Sequence, residues 1–287
     1  ANPYVTLLGT VSSAPARLTL TQAFNSLGTT IAPYLGALFI LNEAVHSVSV
    51  VQSAESVQVP YLFLMSLLIL LAAIFAYIKL PNIESAELNK GEKIEGSAWQ
   101  HKHLVLGALS IFLYVGAEVS IGSFLVSFLG ESNVAGLEEN EAAKYLTYYW
   151  GGAMVGRFIG AGIMHRISGG IVLCFNALAA SVLIAIAMIA DGPLAMWSML
   201  LVGFCNSVMF PTIFSLALNS LGKHTSQGSS ILCLAIVGGA IVPVLQGILA
   251  DTISIHLSFI LPLICYFFIA YYGINGSKIT NKNQENS

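Results

Sequence analysis

Leu104–Leu129 reads LVLGALSIFLYVGAEVSIGSFLVSFL, an apolar run of 26 residues carrying one charge, Glu118. An α-helix needs about twenty such residues to cross the hydrocarbon core of a bilayer. Lipid offers no partner to a backbone N–H or C=O, so the run must satisfy itself as helix. Seven further runs read the same way: Leu18–Leu41, Pro60–Leu80, Ala142–Ile163, Ile171–Ala190, Leu194–Leu218, Ile231–Ala250 and Leu257–Tyr272. A partial apolar segment, Asn2–Gly9, precedes them. Alternating ten-residue strands, the mark of a membrane β-barrel, are absent.

Composition points the same way. Charged residues make up 9% of the 287 and hydrophobic residues 56%. A soluble domain carries about 25% charge to face water, so this chain cannot coat a globule of its own size. The fold class is therefore all-α, a polytopic membrane helical bundle. No basic patch with interleaved aromatics suggests nucleic acid as a partner. Cys174, Cys205, Cys233 and Cys265 all fall inside apolar runs without ligand spacing, and read as small core residues rather than a metal site. Phosphate loops, His-Glu-x-x-His and Gly-x-Ser-x-Gly are missing, so the reading is not an enzyme and calls for no cofactor.

The longest polar stretch, Pro81–His101, reads as a linker between two helical groups. Alternating the loops gathers Arg17, Lys79, Lys90, Lys93, Lys102, Arg157, Arg166, Lys223, Lys278 and Lys282 near one side, leaving Lys144 on the other. Cytoplasmic loops accumulate Lys and Arg, so that side, with the linker and the C-terminus, is expected to be cytoplasmic. The pattern Gly28-x-x-Ile31-x-Pro33-x-Leu35 recurs as Gly238-x-x-Ile241-x-Pro243-x-Leu245. Two copies flanking a central linker suggest parallel halves related by an axis along the membrane normal. Six spans follow the linker, but two and a stub precede it. Matching halves would leave about three and a half helices upstream of Ala1, so an N-terminally truncated bundle is expected. The expected organisation is 1–80 as the end of the first half, 81–103 as linker, 104–273 as a six-helix second half and 274–287 as a cytoplasmic tail.

A carboxylate at mid-membrane depth is costly and should face a cavity or a partner. Glu118 therefore stands out as a group that handles protons or accepts sugar hydroxyls, or else bridges helices. Gln22 and Asn25, three apart on one helix face, form a polar stripe with Ser26 and Thr29. Amides both donate and accept, which a neutral polyol requires; inter-helix bonding would use them equally well. Asn206, Asn176 and Gln246 repeat the pattern more weakly. Tyr114, Tyr148, Tyr149, Trp150 and Phe210 read either as pyranose-stacking rings or as packing. Gly152, Gly156 and Gly160 line one helix face and should admit a second helix closely. Arg157, in that same helix, reads as an anchor or gating contact near its cytoplasmic end.

Several of these segments resemble one family. Ala1-Asn2-Pro3-Tyr4-Val5-Thr6-Leu7-Leu8-Gly9 and Arg17-Leu18-Thr19-Leu20-Thr21-Gln22-Ala23-Phe24-Asn25-Ser26-Leu27-Gly28 resemble the fourth-to-fifth helix region of the fucose:proton symporter family. Gly116-Ala117-Glu118-Val119-Ser120-Ile121-Gly122-Ser123-Phe124, Gly156-Arg157-Phe158 and Phe210-Pro211-Thr212-Ile213-Phe214-Ser215-Leu216 extend the match nearly end to end, closest to its glucose/galactose branch. The resemblance implies a twelve-helix fold of the major facilitator type. It further implies alternating access in the cell inner membrane, and symport of a monosaccharide with a proton. The family's proton-linked carboxylates lie in its first and fourth helices, so this chain is expected to carry neither. Gln22 and Asn25 match polar positions near the sugar cavity, and Glu118 a seventh-helix position facing it. Gln22, Asn25, Glu118, Tyr114 and Asn206 are the expected sugar-binding residues, with Glu118 also a candidate for proton coupling. A membrane sugar sensor and a structural helical subunit remain the alternatives.

Overall fold

The computed structural model describes residues 2–36, 58–78 and 96–279. Most of the expected linker, together with Lys79, Lys90, Lys93 and Lys282, lies outside them. Among the described residues, α-helices run in the order α1 (Asn2–Leu7), α2 (Ala14–Gly36), α3 (Gln58–Tyr77), α4 (Lys102–Gly130), α5 (Glu139–Ile163), α6 (Gly169–Ile189) and α7 (Gly192–Asn206). They continue as α8 (Met209–Leu218), α9 (Thr225–Ala235), α10 (Gly238–Thr252), α11 (Ile255–Ser258) and α12 (Ile260–Tyr271), which ends in a π-helical turn, Tyr272–Gly276. Helix occupies the described part of each of the eight expected spans.

The chain forms two units, one of residues 1–24 with 85–287 and one of residues 25–84. The second holds the C-terminal part of α2 and the whole of α3. Along α3 the side chains of Tyr61, Phe63, Leu68 and Phe75 are all exposed, as suits a helix surrounded by lipid. In the first unit Arg17 finishes α1, donating from Nη2 to the Thr6 carbonyl at 2.9 Å and from Nη1 to Thr10 at 3.0 Å. A cation there satisfies carbonyls left over at a helix C-terminus.

Helix α4 is the axis of the first unit, packing against α5, α8, α10 and α12. Its buried side chains Leu104, Ile111, Tyr114, Ala117, Ile121, Leu125 and Phe128 recur every three, four or seven residues, the repeat of helix turns facing a core. Where α10 crosses, a side chain on Gly238 would run into the Phe112 carbonyl. The two backbones meet there directly, as small residues allow in membranes.

Three expected spans are broken helices rather than continuous ones. Leu194–Leu218 divides at Ser207–Val208, Ile231–Ala250 at Ile236–Val237, and Leu257–Tyr272 at Phe259. Pro211 and Pro262 lie within about one turn of their breaks, whereas Pro243 lies inside α10, farther from its own. A proline ring crowds the carbonyl four residues back and offers it no N–H, which loosens the preceding turn. Across these breaks, five runs are long and apolar enough to span a bilayer: Lys102–Gly130, Gly169–Ile189, Gly192–Leu218, Gly222–Thr252 and Ile255–Gly276. Tyr61–Tyr77 is apolar but shorter. Helix α5 carries Glu139, Glu141, Lys144 and Arg157, and α2 carries Thr19, Thr21, Gln22, Asn25 and Ser26. Neither is counted among the five.

The glycine stripe of α5 lies against α7 and the break that follows it. Positions 152 and 156 face Phe204, 156 also meets Ser207, and 160 meets Val208. The cysteines are all free; Cys174, Cys205 and Cys265 are buried, but Cys233 is exposed on α9 and is not a core residue.

Candidate functional site

Tyr114 and Glu118 stand one turn apart on α4, so both side chains rise from the same face. The Glu118 carboxyl lies near the Tyr114 hydroxyl, and the charge of Arg157 from α5 acts on it. Its own side chain is partly accessible. Tyr149 from α5 and Tyr266 from α12 also lie in its electrostatic surroundings. Four helices thus contribute to its environment: α4, α5, α12 and, through Asn206, the end of α7.

Asn206 ties these groups together. Its Nδ2 donates to the Tyr149 hydroxyl at 2.8 Å, and its Oδ1 accepts from the Tyr266 hydroxyl at 2.6 Å. The Asn206 carbonyl accepts from the Tyr114 hydroxyl at 3.0 Å. Asn206 and all three tyrosines are 0% exposed. Burying phenols without partners would cost free energy, and one amide at a helix end answers two of them. Asn206 was expected to meet a sugar directly; in this structure both ends of its amide are taken up by tyrosines.

The neighbouring carbonyl, Ser207, has no helical donor because Pro211 lacks an N–H. Arg157 supplies one, its Nε lying 3.2 Å from the Ser207 oxygen. Arg157, expected as an anchor or gating contact, brings its charge to bear on Glu118 and Tyr114. The aromatic rings named from sequence are engaged with other rings. Tyr114 lies 6.4 Å from Phe210, Tyr149 lies 5.1 Å edge-on to Trp150, and Tyr148 lies 5.9 Å edge-on to Trp197.

Gln22 and Asn25 are described on their own helix, since Asn25 opens the second unit. The Gln22 Nε2 donates to Asn2 Oδ1 on α1 at 3.2 Å and is partly buried, whereas the Asn25 side chain is exposed. Glu118, Tyr114 and Asn206 are thus brought together; the bond shown for Gln22 is to α1. Sequence reading did not assign Tyr149, Tyr266 or Arg157 their places around Glu118. Pro211 held the signal for Arg157, because a carbonyl orphaned in a membrane must find a donor. Nothing in the local pattern around Tyr266 distinguishes it from a packing aromatic.

The Major Facilitator Superfamily profile matches residues 3–236. The chain belongs to the Major Facilitator Superfamily. It is a transporter and not an enzyme. A Brucella abortus protein named glucose/galactose transporter is 59% identical over 278 residues, covering 97% of this chain and 67% of the relative. The chain thus spans about two thirds of that relative's length. The Escherichia coli L-fucose-proton symporter is 32% identical over 289 residues, covering 94% of this chain and 66% of the symporter. The crystal structure of FucP, a superfamily transporter in the outward conformation, superposes with a TM-score of 0.87 at 30% identity. That superposition covers 96% of this chain and 72% of FucP.

Proposed function

We propose that the protein carries a hexose of the glucose/galactose class across the cell inner membrane together with a proton, by alternating access. The observation that carries this reading is Glu118, a partly accessible carboxylate in mid-span, ringed by Tyr114, Arg157, Tyr149 and Tyr266. Similarity over nearly the whole chain to a glucose/galactose transporter supports the sugar class. Similarity to an L-fucose-proton symporter supports the proton. In this reading Glu118, Gln22 and Asn25 meet sugar hydroxyls, while Tyr114 and Asn206 hold the floor beneath Glu118. Residues 1–80 close a first half, 81–103 link it on the cytoplasmic side, 104–273 form a second half and 274–287 a cytoplasmic tail. The Lys and Arg bias among the loops supports that orientation.

The test uses the protein expressed from its complete coding sequence and reconstituted in liposomes. Labelled glucose or galactose should accumulate when the outside is acidified, and an uncoupler should abolish accumulation. Binding without accumulation would point to a sensor, and absence of both to a structural subunit. Glu118→Gln separates the two chemical roles of the carboxylate. A charge-assisted hydrogen bond to a hydroxyl contributes about 1.5–3 kcal/mol, so its loss should weaken sugar binding roughly ten- to a hundredfold with exchange retained. If Glu118 carries the proton, gradient-driven accumulation should vanish while exchange continues at near-normal affinity. A Gln variant indistinguishable from the parent in both assays would remove Glu118 from the site.

A further inference from the structure

Two consecutive carbonyls at one helix break are held by side chains from two other helices, and both of those side chains also face Glu118. Tyr114 of α4 donates to the Asn206 carbonyl at 3.0 Å, and Arg157 of α5 donates through Nε to the Ser207 carbonyl at 3.2 Å. Tyr114 stands one turn before Glu118 on the same face of α4, beside its carboxyl, and the Arg157 charge acts on that carboxyl. We propose that Arg157, with Tyr114 beside it, is a positioning residue that ties the charge of Glu118 to the bend at Ser207–Val208. The inference rests on the reading of Glu118 as the working carboxylate and adds the part of the fold it would move.

Donor counting supplies the mechanism. A tyrosine hydroxyl has one proton, and an ionised carboxylate only accepts. With Glu118 ionised, the single Tyr114 proton is drawn toward the carboxylate, and Coulomb attraction pulls the Arg157 guanidinium the same way, straining its Nε bond to Ser207. With Glu118 protonated, that pull is gone and both donors are left to the carbonyls of Asn206 and Ser207. Ser207 has no other source within its helix, because residue 211 is proline. Holding both carbonyls stiffens the joint between α7 and α8; releasing them frees it. A proline-broken membrane helix is a bistable element on which so local a change can act. Four titratable or charged groups face Glu118 across this space: Tyr114 on its own helix, Arg157 and Tyr149 on α5, and Tyr266 on α12. Arg157 is the one that bears a fixed opposite charge and also touches the break.

The packing around the joint fits such a role. Gly156, one residue before Arg157, would place a Cβ 2.5 Å from Ser207 Oγ and 2.8 Å from the Phe204 carbonyl. The absence of a side chain there brings the α5 backbone against the break, within reach of Arg157.

The experiment compares Arg157→Gln, Arg157→Lys, Glu118→Gln and the Glu118→Gln/Arg157→Gln pair in liposomes holding the full protein. Sugar counterflow, pH-gradient-driven accumulation and melting temperature in detergent are measured for each. Arg157→Gln should reduce accumulation at least tenfold while counterflow stays within about threefold. Arg157→Lys, which keeps the charge and a donor, should recover most of the lost accumulation. The pair should be no worse than the poorer single variant. Accumulation and counterflow falling together with melting temperature in both Arg157 variants would mean a merely structural arginine and overturn the proposal. So would an Arg157→Gln protein that accumulates sugar normally, or additive losses in the pair. If Glu118→Gln alone changes neither assay, the reading of the site fails. If it changes them and Arg157→Gln does not, only the present inference falls.

Discussion

Two polar regions of this chain occupy apolar helices in opposite ways. Around Asn206, three phenols, one amide and a backbone carbonyl close on one another, with no exposed surface on any of the four residues. Along α2, by contrast, Gln22 takes a bond from its side chain to Asn2, while Asn25 three residues later is exposed. The first region spends its hydrogen-bonding capacity within the protein, so its role is to fix geometry. The second leaves Asn25 exposed, as suits a group meant for an exchangeable partner. Glu118 stands between these extremes, resting on the closed network yet partly accessible itself.

The sharpest way to break this comparison is to open the closed region. Asn206→Leu keeps the volume but strands the hydroxyls of Tyr149 and Tyr266. Each unsatisfied buried group costs about 1–3 kcal/mol, so the variant should lose roughly 3 kcal/mol or more. The detergent-solubilised protein should melt on the order of 10 °C lower. Tyr149→Phe, which strands only the Asn206 Nδ2, should cost about half as much. Unchanged melting in Asn206→Leu would show that the network fixes nothing.

A smaller effect sharpens the packing that supports the network. An alanine at 152 would touch Phe204 at ordinary contact, 3.5 Å from its nitrogen, whereas one at 156 would meet the Phe204 carbonyl at 2.8 Å. Gly156→Ala should therefore cost about 1–3 kcal/mol, typical of an overpacked contact. Gly160→Ala presses mainly on a Val208 methyl and should cost less, and Gly152→Ala should be close to neutral. Melting temperatures in the reverse order would contradict the close approach of α5 to α7 and α8.

The helices were legible because the bilayer imposes a simple demand on sequence: about twenty apolar residues per crossing, every backbone group satisfied within the helix. The breaks were less so. Pro211, Pro243 and Pro262 were visible, but a proline can be absorbed as a gentle kink or divide a helix, depending on what satisfies the freed carbonyl. At Ser207 that partner is Arg157, 50 positions earlier. At the site, Glu118 announced itself by its cost in lipid, whereas Tyr114 stood out only as one of several rings able to stack or to pack. Asn206 was visible as a polar residue in an apolar run. Its engagement with Tyr149 and Tyr266 was not, since residues 57 and 60 positions away meet it only through tertiary packing.

The smallest expected effect on stability falls on α2, where it separates the two meanings of a polar stripe. Asn25 is exposed, so Asn25→Ala should shift stability by no more than about 0.5 kcal/mol, as for surface substitutions in general. If the stripe serves sugar hydroxyls, the same change removes one or two neutral hydrogen bonds from the bound state. At about 0.5–1.5 kcal/mol each, sugar affinity should fall roughly two- to tenfold or somewhat more. Gln22→Ala loses the tether to Asn2 as well, so it should lower the melting temperature slightly further than Asn25→Ala does. Sugar binding measured by calorimetry, beside melting temperature for both variants, reads the two effects separately. An Asn25→Ala protein that binds sugar like the parent would assign the stripe to helix packing and leave Glu118 as the polar group of the site. An affinity loss without a stability loss would instead assign Asn25 to sugar binding.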